Sequence, residues 1–363
     1  MYTEMIKIIE GGLKGDKEKV ANYANVLIRN LKKDNQENIA NKIQKIIESS
    51  NTRLIGLDSF STKPVDQESR MDIVQVTMPT SMKEELVFDR FIEAEVDDFI
   101  KTFEYRDVLK SRGIDITNTL LLYGPPGCGK TSLAKYISQK TELPLVTARL
   151  DSLLSSLLGN TAKNIRKIFD YSSKRPCILF LDEFDVIAKV RDDKNELGEL
   201  KRVVNSLLQN IDEFSEDSIL IAATNHHELL DPAIWRRFSK IIELNEPSKE
   251  QIVKLILKYS KSSQIEFGGN EKRLSSVVEG LKGLSPADIK NIIYTAAKKT
   301  IMKEKNNLEF IQVMYEIYLF KNHKGNNEED LVRYLNSYGV TQKEIVEFFD
   351  LPIRKVREIL NTK

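Results

Sequence analysis

From Tyr2 to Ser49 the apolar positions recur at intervals of three and four: Ile6 and Ile9, then Val20, Tyr23, Val26, Leu27 and Leu31, then Ile39, Ile43, Ile46 and Ile47. That spacing puts them on one face of a helix turn after turn, and interruptions at Gly15-Asp16 and Asp34 divide the stretch. It predicts three amphipathic helices, an N-terminal bundle over residues 1–50. Residues 51–84 lose the period and gain Ser, Thr and Pro, which predicts a linker with one extended piece at Ile73–Val76. From 85 to 245 short apolar runs (TLLLYG, LPLVTARL, PCILFLDEFD, SILIAATN, SKIIELN) alternate with helical patterns. Such alternation builds an α/β fold, a parallel sheet covered on both faces. The remainder reads as helical, divided into 246–307 and 308–363. In open parallel sheets the ligand crevice lies outside the carboxyl ends of the strands, so chemistry is expected where these runs end.

Composition narrows the function classes. The 363 residues are 41% apolar and 30% charged, enough for a main core with small accessory units. Lys and Arg (55) nearly balance Asp and Glu (54), so no global field draws the chain to nucleic acid or to an anionic membrane, and any nucleic-acid contact must be local. Cys128 and Cys177 have neither metal-ligand nor redox-pair spacing. The first residues are too charged for a signal peptide, and no run has the ~18 apolar residues of a span. The expectation is a cytoplasmic protein with no membrane partner.

GPPGCGKT, Gly124 to Thr131, follows the strand TLLLY and opens a helix, matching the phosphate-loop pattern in the context it requires. A bare Gly/Pro turn is the alternative, and the order strand, turn, helix favours the nucleotide. Gly124, Pro125, Pro126, Gly127, Cys128, Gly129, Lys130, Thr131 and Ser132 are the candidate nucleotide-binding residues. The glycines let backbone N–H groups face phosphate oxygens, and the new helix adds its positive end. Lys130 is expected at the β- and γ-phosphates and the Thr131 hydroxyl on magnesium. In CILFLDEFD four apolar residues bury a central strand that ends at Asp182, a magnesium carboxylate of the Walker B kind, and Glu183, placed to align and deprotonate a water. A further strand ends in Thr224-Asn225, where a neutral amide can sense the γ-phosphate. His226 and His227 are poor metal-ligand candidates. Trp235, the single tryptophan, is expected to pack its helix, since its position faces no motif residue.

With GPPGCGKT, LFLDEFD, AATN and DPAIWRRF in this order, the chain resembles the AAA family of ATPases over about Leu86 to Lys303. The resemblance implies a P-loop sheet of strand order 5-1-4-3-2 at 85–245, a helical lid at 246–307, ATP with Mg2+ as ligands, and a homo-oligomeric ring, usually a hexamer. Arg236 and Arg237 fall where family members place arginine fingers that enter the neighbouring subunit's site, and the sequence leaves open which of the two acts. GLSPADIK resembles the family's Gly-x-Ser-x-Ala-Asp element, which assigns Gly283 and Ala287 to nucleotide contact. Ser285 with Asp288 and Ser248 with Gln251 have capping-box spacing.

The resemblance also locates two pore loops. Leu157-Leu158-Gly159 stands where remodelling members carry an aromatic residue; the aromatic is missing, so a weaker grip on a threaded peptide is expected. Arg191 to Lys194 match the charged second loop, and Arg202 either points at an adjoining subunit or is solvated. In GVTQKEIVEFFDLPIRKVREIL, Thr341 and Glu344 form a capping box and Asp350-Leu351-Pro352 a turn between two short helices, a helix-turn-helix-like tail at 308–363. Two readings are open for it: DNA contact through Arg354, Lys355 and Arg357, or partner docking. For the whole chain the expectation is an ATP-hydrolysing ring that remodels or regulates a macromolecular partner. The alternatives are a nucleotide-switched DNA-bound regulator, and an ATPase serving a separate peptidase or nuclease effector.

Overall fold

The structure, a computed structural model, describes residues 2–13, 17–33, 36–49, 64, 72–79, 86–150, 158–185, 197–260, 264–322 and 327–362. The expected interruptions at Gly15-Asp16 and Asp34, Leu157 of the expected loop tip Leu157-Leu158-Gly159, the charged stretch Arg191 to Lys194, the side chain of Arg202, and most of 51–84 lie outside them, while Leu158 and Gly159 stand in the first turn of a helix and not at a loop tip.

The chain divides into two compact units. The first comprises 1–86, 90–124 and 130–244. Its N-terminal part is three helices, α1 (Tyr2–Leu13), α2 (Lys17–Lys33) and α3 (Glu37–Ser49), as the periodicity predicts. Leu27, Ile28, Leu31 and Ala40 form their core, with Ile8 and Ile43 against it. The bundle is tied to the rest of the unit by polar contacts that periodicity does not report. Arg106 Nη2 donates to the buried Glu4 carboxylate at 2.9 Å, and the Tyr23 hydroxyl donates to Asp217 Oδ2 at 3.3 Å.

The sheet has six strands: β1 (Gln75–Thr77), β2 (Thr119–Tyr123), β3 (Leu145–Arg149), β4 (Ile178–Asp182), β5 (Ile219–Thr224) and β6 (Lys240–Glu243). Their spatial order is β1-β3-β4-β5-β2-β6. The five from β2 onward are parallel and, taken from the β6 edge, run fifth, first, fourth, third, second. The strand order differs from the expected one by β1, which adds antiparallel to β3 with Gln75 opposite Thr147. This is the extended piece of the linker: its short run completes the sheet at an edge instead of crossing open solvent. In β4, Ile178 to Leu181 are at most 1% exposed, a strand covered on both faces. Helices α4 (Arg90–Glu104), α5 (Arg106–Ser111), α6 (Lys130–Thr141), α7 (Leu158–Ser173), α8 (Leu197–Asp212) and the four-residue α9 (Pro232–Trp235) complete the unit.

The second unit comprises 87–89, 125–129 and 245–363. It contains α10 (Lys249–Tyr259), β7 (Gln264–Ile265), α11 (Glu271–Leu281), α12 (Pro286–Met302), β8 (Asn307–Leu308), α13 (Phe310–Asn322), α14 (Glu328–Ser337), α15 (Gln342–Phe349) and α16 (Ile353–Asn361). The three expected capping boxes, at Ser248, Ser285 and Thr341, are all formed with both reciprocal bonds. The boundary expected between 307 and 308 falls inside β8, which pairs with β7. Residues on both sides of it, from Ile252 and Ile293 to Val332, Ile345 and Val356, belong to one buried cluster. The tail is therefore part of the core that carries the lid helices, because a pair of helices as short as α15 and α16 cannot bury its apolar face alone.

Candidate active site

The carboxyl ends of β2, β4 and β5 are adjacent, with Tyr123 opposite Thr224 and Leu181 opposite Ala222. Local chemistry fixes what leaves them. Gly124 (φ 136), Gly127 (φ 79) and Gly129 (φ 98) all take positive φ, a backbone that side chains other than glycine's resist. At Gly124 a Cβ would also overlap the carbonyl oxygen of Leu244, so the loop can leave the strand there only without a side chain. Lys130 opens α6 and is 8% exposed, its Nζ donating to the Gly124 carbonyl at 2.7 Å. The ammonium thus stands at the mouth of a loop whose glycines leave room for an anion to approach the backbone. Pro125 and Pro126 are exposed, Cys128 is buried and Ser132 half-buried.

Thr131 Oγ1 lies 3.4 Å from Asp182 Oδ2, so a hydroxyl and a carboxylate from two elements sit side by side. A hard divalent cation that keeps waters and phosphate oxygens as its other ligands fits such a sparse oxygen set. Among the described residues no cluster of three or more His, Cys, Asp or Glu could cage an ion by itself. Glu183 has φ 57, left-handed backbone for a non-glycine residue, and its N–H donates to Asp182 Oδ1 at 3.0 Å. Backbone held in this region tends to mark sites of chemistry. It turns the Glu183 carboxylate out of the strand line, 3.5 Å from Arg149 Nη2.

Two groups here were not singled out by sequence. Arg149 ends β3 at the same carboxyl edge, and that position was its only signal. Asp185, last residue of the LDEFD run, is 4% exposed and accepts from Thr224 Oγ1 at 3.2 Å, while Thr224 Oγ1 accepts from His226 N–H at 3.0 Å. This chain of bonds fixes the turn that presents Asn225, which is half-buried with no side-chain hydrogen bond among the described residues.

The two arginines of the pair stand in different surroundings. Asp231 caps α9, accepting from Ala233 N–H at 2.7 Å, and Pro232 takes its first position. Arg237 is held within its own chain: Nε meets Asp212 at 3.0 Å and Nη1 donates to the Ala233 carbonyl at 2.7 Å. Arg236 is exposed, and its guanidinium has no ion pair or hydrogen bond among the described residues. Trp235 packs as expected, though its ring meets Tyr123, the residue directly before Gly124, edge-on at 5.5 Å.

In the second unit, Gly127 and the start of α12 are close. A Cβ on Gly127 would fall 2.5 Å from Ser285 Oγ, and Ala287 N–H donates to the Gly127 carbonyl at 3.3 Å. Gly283 has φ 78 and is exposed in the turn before the Ser285 cap.

Comparison with known proteins settles which family this architecture belongs to. The family described as "ATPase family associated with various cellular activities (AAA)" matches residues 120–246. An uncharacterized AAA family ATPase of Sinorhizobium fredii is 37% identical over 242 residues, 67% of this chain and 72% of the relative. The chain belongs to the AAA family of ATPases. As a member it is an ATP hydrolase. A proteasome-activating nucleotidase of Saccharolobus islandicus is 32% identical over 240 residues, 64% of this chain and 60% of that one. A putative 26S proteasome regulatory subunit homolog of Methanocaldococcus jannaschii is 34% identical over 191 residues, 52% of this chain and 51% of the relative. The chain thus spans between about half and nearly three quarters of the length of these relatives. Among the described residues no helix of this AAA protein is long and apolar enough to cross a membrane.

Proposed function

We propose that this AAA protein acts as a homo-oligomeric ring, a hexamer, in the cytoplasm, whose ATP sites are shared between subunits and whose turnover remodels or regulates a protein partner. The carrying observation is the asymmetry of the arginine pair: Arg237 is neutralised at home by Asp212, and Arg236 offers an exposed guanidinium with no partner among the described residues. A guanidinium with no partner among the described residues of its own subunit is available to an anionic group of another.

Lys130 and the loop N–H groups hold the β- and γ-phosphates of ATP, and Gly283 and Ala287 contact the base. Thr131 and Asp182 would hold Mg2+, whose charge would offset that of the phosphate oxygens. Glu183 accepts the proton of the attacking water, and Asn225 orients that water against the γ-phosphate. Negative charge spreads over the transferred group in the transition state, and Arg236 of the adjacent copy stabilises it, a contribution of about 10³ to 10⁵ in turnover. Arg149, 3.5 Å from one carboxylate oxygen of Glu183, helps to fix the direction of that side chain.

Mixing two inactive chains tests the shared site. An Arg236→Ala chain lacks the inserted cation and a Glu183→Gln chain lacks the base, yet a mixed ring contains junctions with both. Recovered ATPase activity in the mixture supports the reading; silence from a mixture shown by native mass spectrometry to co-assemble overturns it.

The names of the relatives, a proteasome-activating nucleotidase and a putative proteasome regulatory subunit homolog, favour a protein client or effector. The N-terminal bundle is then the adaptor. A second reading, a nucleotide-switched DNA-bound regulator, is favoured by the tail. Asp350 takes φ 54 between α15 and α16, and Arg354 and Arg357 are exposed on α16.

A further inference from the structure

Arg236 and Arg237 are bracketed by two aromatic residues, and each bracket reaches a different part of the candidate site in the same subunit. On one side, Trp235 meets Tyr123 edge-on at 5.5 Å and His227 at 6.4 Å, while the Tyr123 and His227 rings lie 4.7 Å apart, tilted by 44°. On the other, Phe238 meets Phe184 edge-on at 5.9 Å. Tyr123 precedes Gly124, His227 lies two residues beyond Asn225, and Phe184 follows Glu183. Arg237 is further tied down by Asp212, by the Ala233 carbonyl and by Thr119 Oγ1, which donates to the Arg237 carbonyl at 2.9 Å, whereas the Arg236 side chain has no such tie among the described residues. Helix α9 has four residues, and the N–H of Arg236, which closes it, meets the Ile234 and Pro232 carbonyls, the latter at 3.4 Å.

The two brackets differ in what they can do. Phe184 and Phe238 are 0% and 5% exposed and belong to the main core, so they fix the segment to the sheet whatever the site contains. Trp235 is partly buried against the same core, and its ring partners are the two residues that border the phosphate loop and the Asn225 turn. Edge-to-face ring pairs are directional, so a shift of Tyr123 or His227 re-aims the indole, and the next residue in the chain is Arg236.

We infer that Trp235 is a positioning residue that couples the nucleotide state of its own subunit to the placement of Arg236, the guanidinium lent to a second copy of the chain. This rests on the reading of Arg236 given above. Its consequence is directional: what one subunit binds governs how well its neighbour hydrolyses.

The mixed-ring assay separates this role from simple packing. In the pair Glu183→Gln with Arg236→Ala, the first chain lends the arginine and the second hydrolyses. Trp235→Leu placed in the lending chain is expected to lower kcat of the mixture by about 10²-fold with KM unchanged, the loss that follows from misplacing a group by about 1 Å. In the hydrolysing chain, whose own arginine is already absent, the same change is expected to have little effect. Trp235→Phe in the lending chain is expected to restore most of the activity, since a ring is retained. Equal losses from the two placements overturn the positioning role. Silence from the reference pair without any Trp235 change overturns the shared-site reading instead, so the two failures are distinguishable.

A second readout uses the chain's only tryptophan directly. Trp235 emission in a Glu183→Gln chain is expected to change when ATP is added, and to stay constant when Lys130→Ala is also present. To exclude the neighbour's site as the source, the measurement is repeated in rings where Trp235 remains only in a minority of Lys130→Ala chains. Emission that still responds to ATP there overturns the coupling to the subunit's own nucleotide.

Discussion

Arg237 Nε lies 3.0 Å from a carboxylate oxygen of Asp212, 25 residues earlier in the chain, while Arg236 beside it has no such partner among the described residues. The two arginines should therefore fail differently. Asp212 is 51% exposed and Arg237 27%, so the pair is screened and contributes about 0.5–1 kcal/mol. Arg237→Ala should lower stability by that amount in urea unfolding, with the loss largely absent in an Asp212→Ala background. Arg236→Ala should leave unfolding unchanged and reduce ATP turnover by about 10³-fold or more. The reverse pattern, with Arg237 alone needed for turnover, would contradict the assignment.

Gly124 and Gly129 both take positive φ, but only at Gly124 would a Cβ meet other atoms, the backbone of Leu244 just beyond β6. Gly129→Ala carries backbone strain alone, about 1–3 kcal/mol. Gly124→Ala adds an overlap with backbone that cannot turn aside, a further 1–3 kcal/mol or so. Thermal unfolding should rank Gly124→Ala below Gly129→Ala, and the same change should weaken ATP binding by displacing the carbonyl that receives Lys130. A Gly124→Ala chain as stable as its parent would mean that the strand-to-loop exit is not built as described.

Asp217 provides a pH dependence outside the nucleotide site. Burial pushes its carboxyl above the ordinary range, opposed by Lys7, Arg106 and the Tyr23 hydroxyl and assisted by Glu4. With the folded pKa raised, the native state binds the extra proton in the window between the ordinary carboxyl value and the raised one. Stability from this group is full below the ordinary value and is lost as pH rises through the folded one. Asp217→Asn should therefore stabilise the protein at neutral pH and flatten its stability profile across mildly acid pH, as measured by urea midpoints at several pH values. Because Tyr23 and Lys7 belong to the N-terminal bundle, hydrogen exchange of α1 and α2 should slow in the same variant. A destabilised variant at neutral pH would show that the ion pair with Lys7 outweighs desolvation.

What could be read in advance follows from how local the physics is. The run before Asp182 announces a buried strand because four apolar residues in succession admit few alternatives, and the glycines of the loop announce positive φ because little else tolerates it. The capping boxes at Ser248, Ser285 and Thr341 are three-residue relationships and are equally legible. The fate of Arg237 depends on Asp212, and the docking of the bundle depends on Glu4 meeting Arg106 and Tyr23 meeting Asp217, 102 and 194 residues apart. No period or spacing encodes such pairs. The link of Trp235 to Tyr123 was missed for the same reason: a position judged to face no motif residue faces the one that precedes the motif. The single core shared by the lid and tail was hidden because each helix, taken alone, shows only that it has an apolar face.

That shared core changes how DNA binding by the tail must be tested. Leu331, Val332, Leu335, Ile345, Val356 and Ile359 are buried in the same cluster as the lid helices, so removing residues 326–363 strips one side of it. Failure to bind after such a deletion would report unfolding as readily as the absence of the DNA-facing side chains. On α16, Lys355 is already engaged by Glu328 at 2.6 Å, which leaves Arg354 and Arg357 as the cations to test. If the tail meets DNA, Arg354→Ala with Arg357→Ala should weaken binding by fluorescence anisotropy and reduce the slope of log K against log salt by about 0.9 for each phosphate no longer neutralised. Thermal unfolding of that double variant should match the parent, because both side chains are exposed. Unchanged affinity and an unchanged salt slope in a fully folded double variant would remove DNA from the tail and leave α16 as part of the lid's own packing.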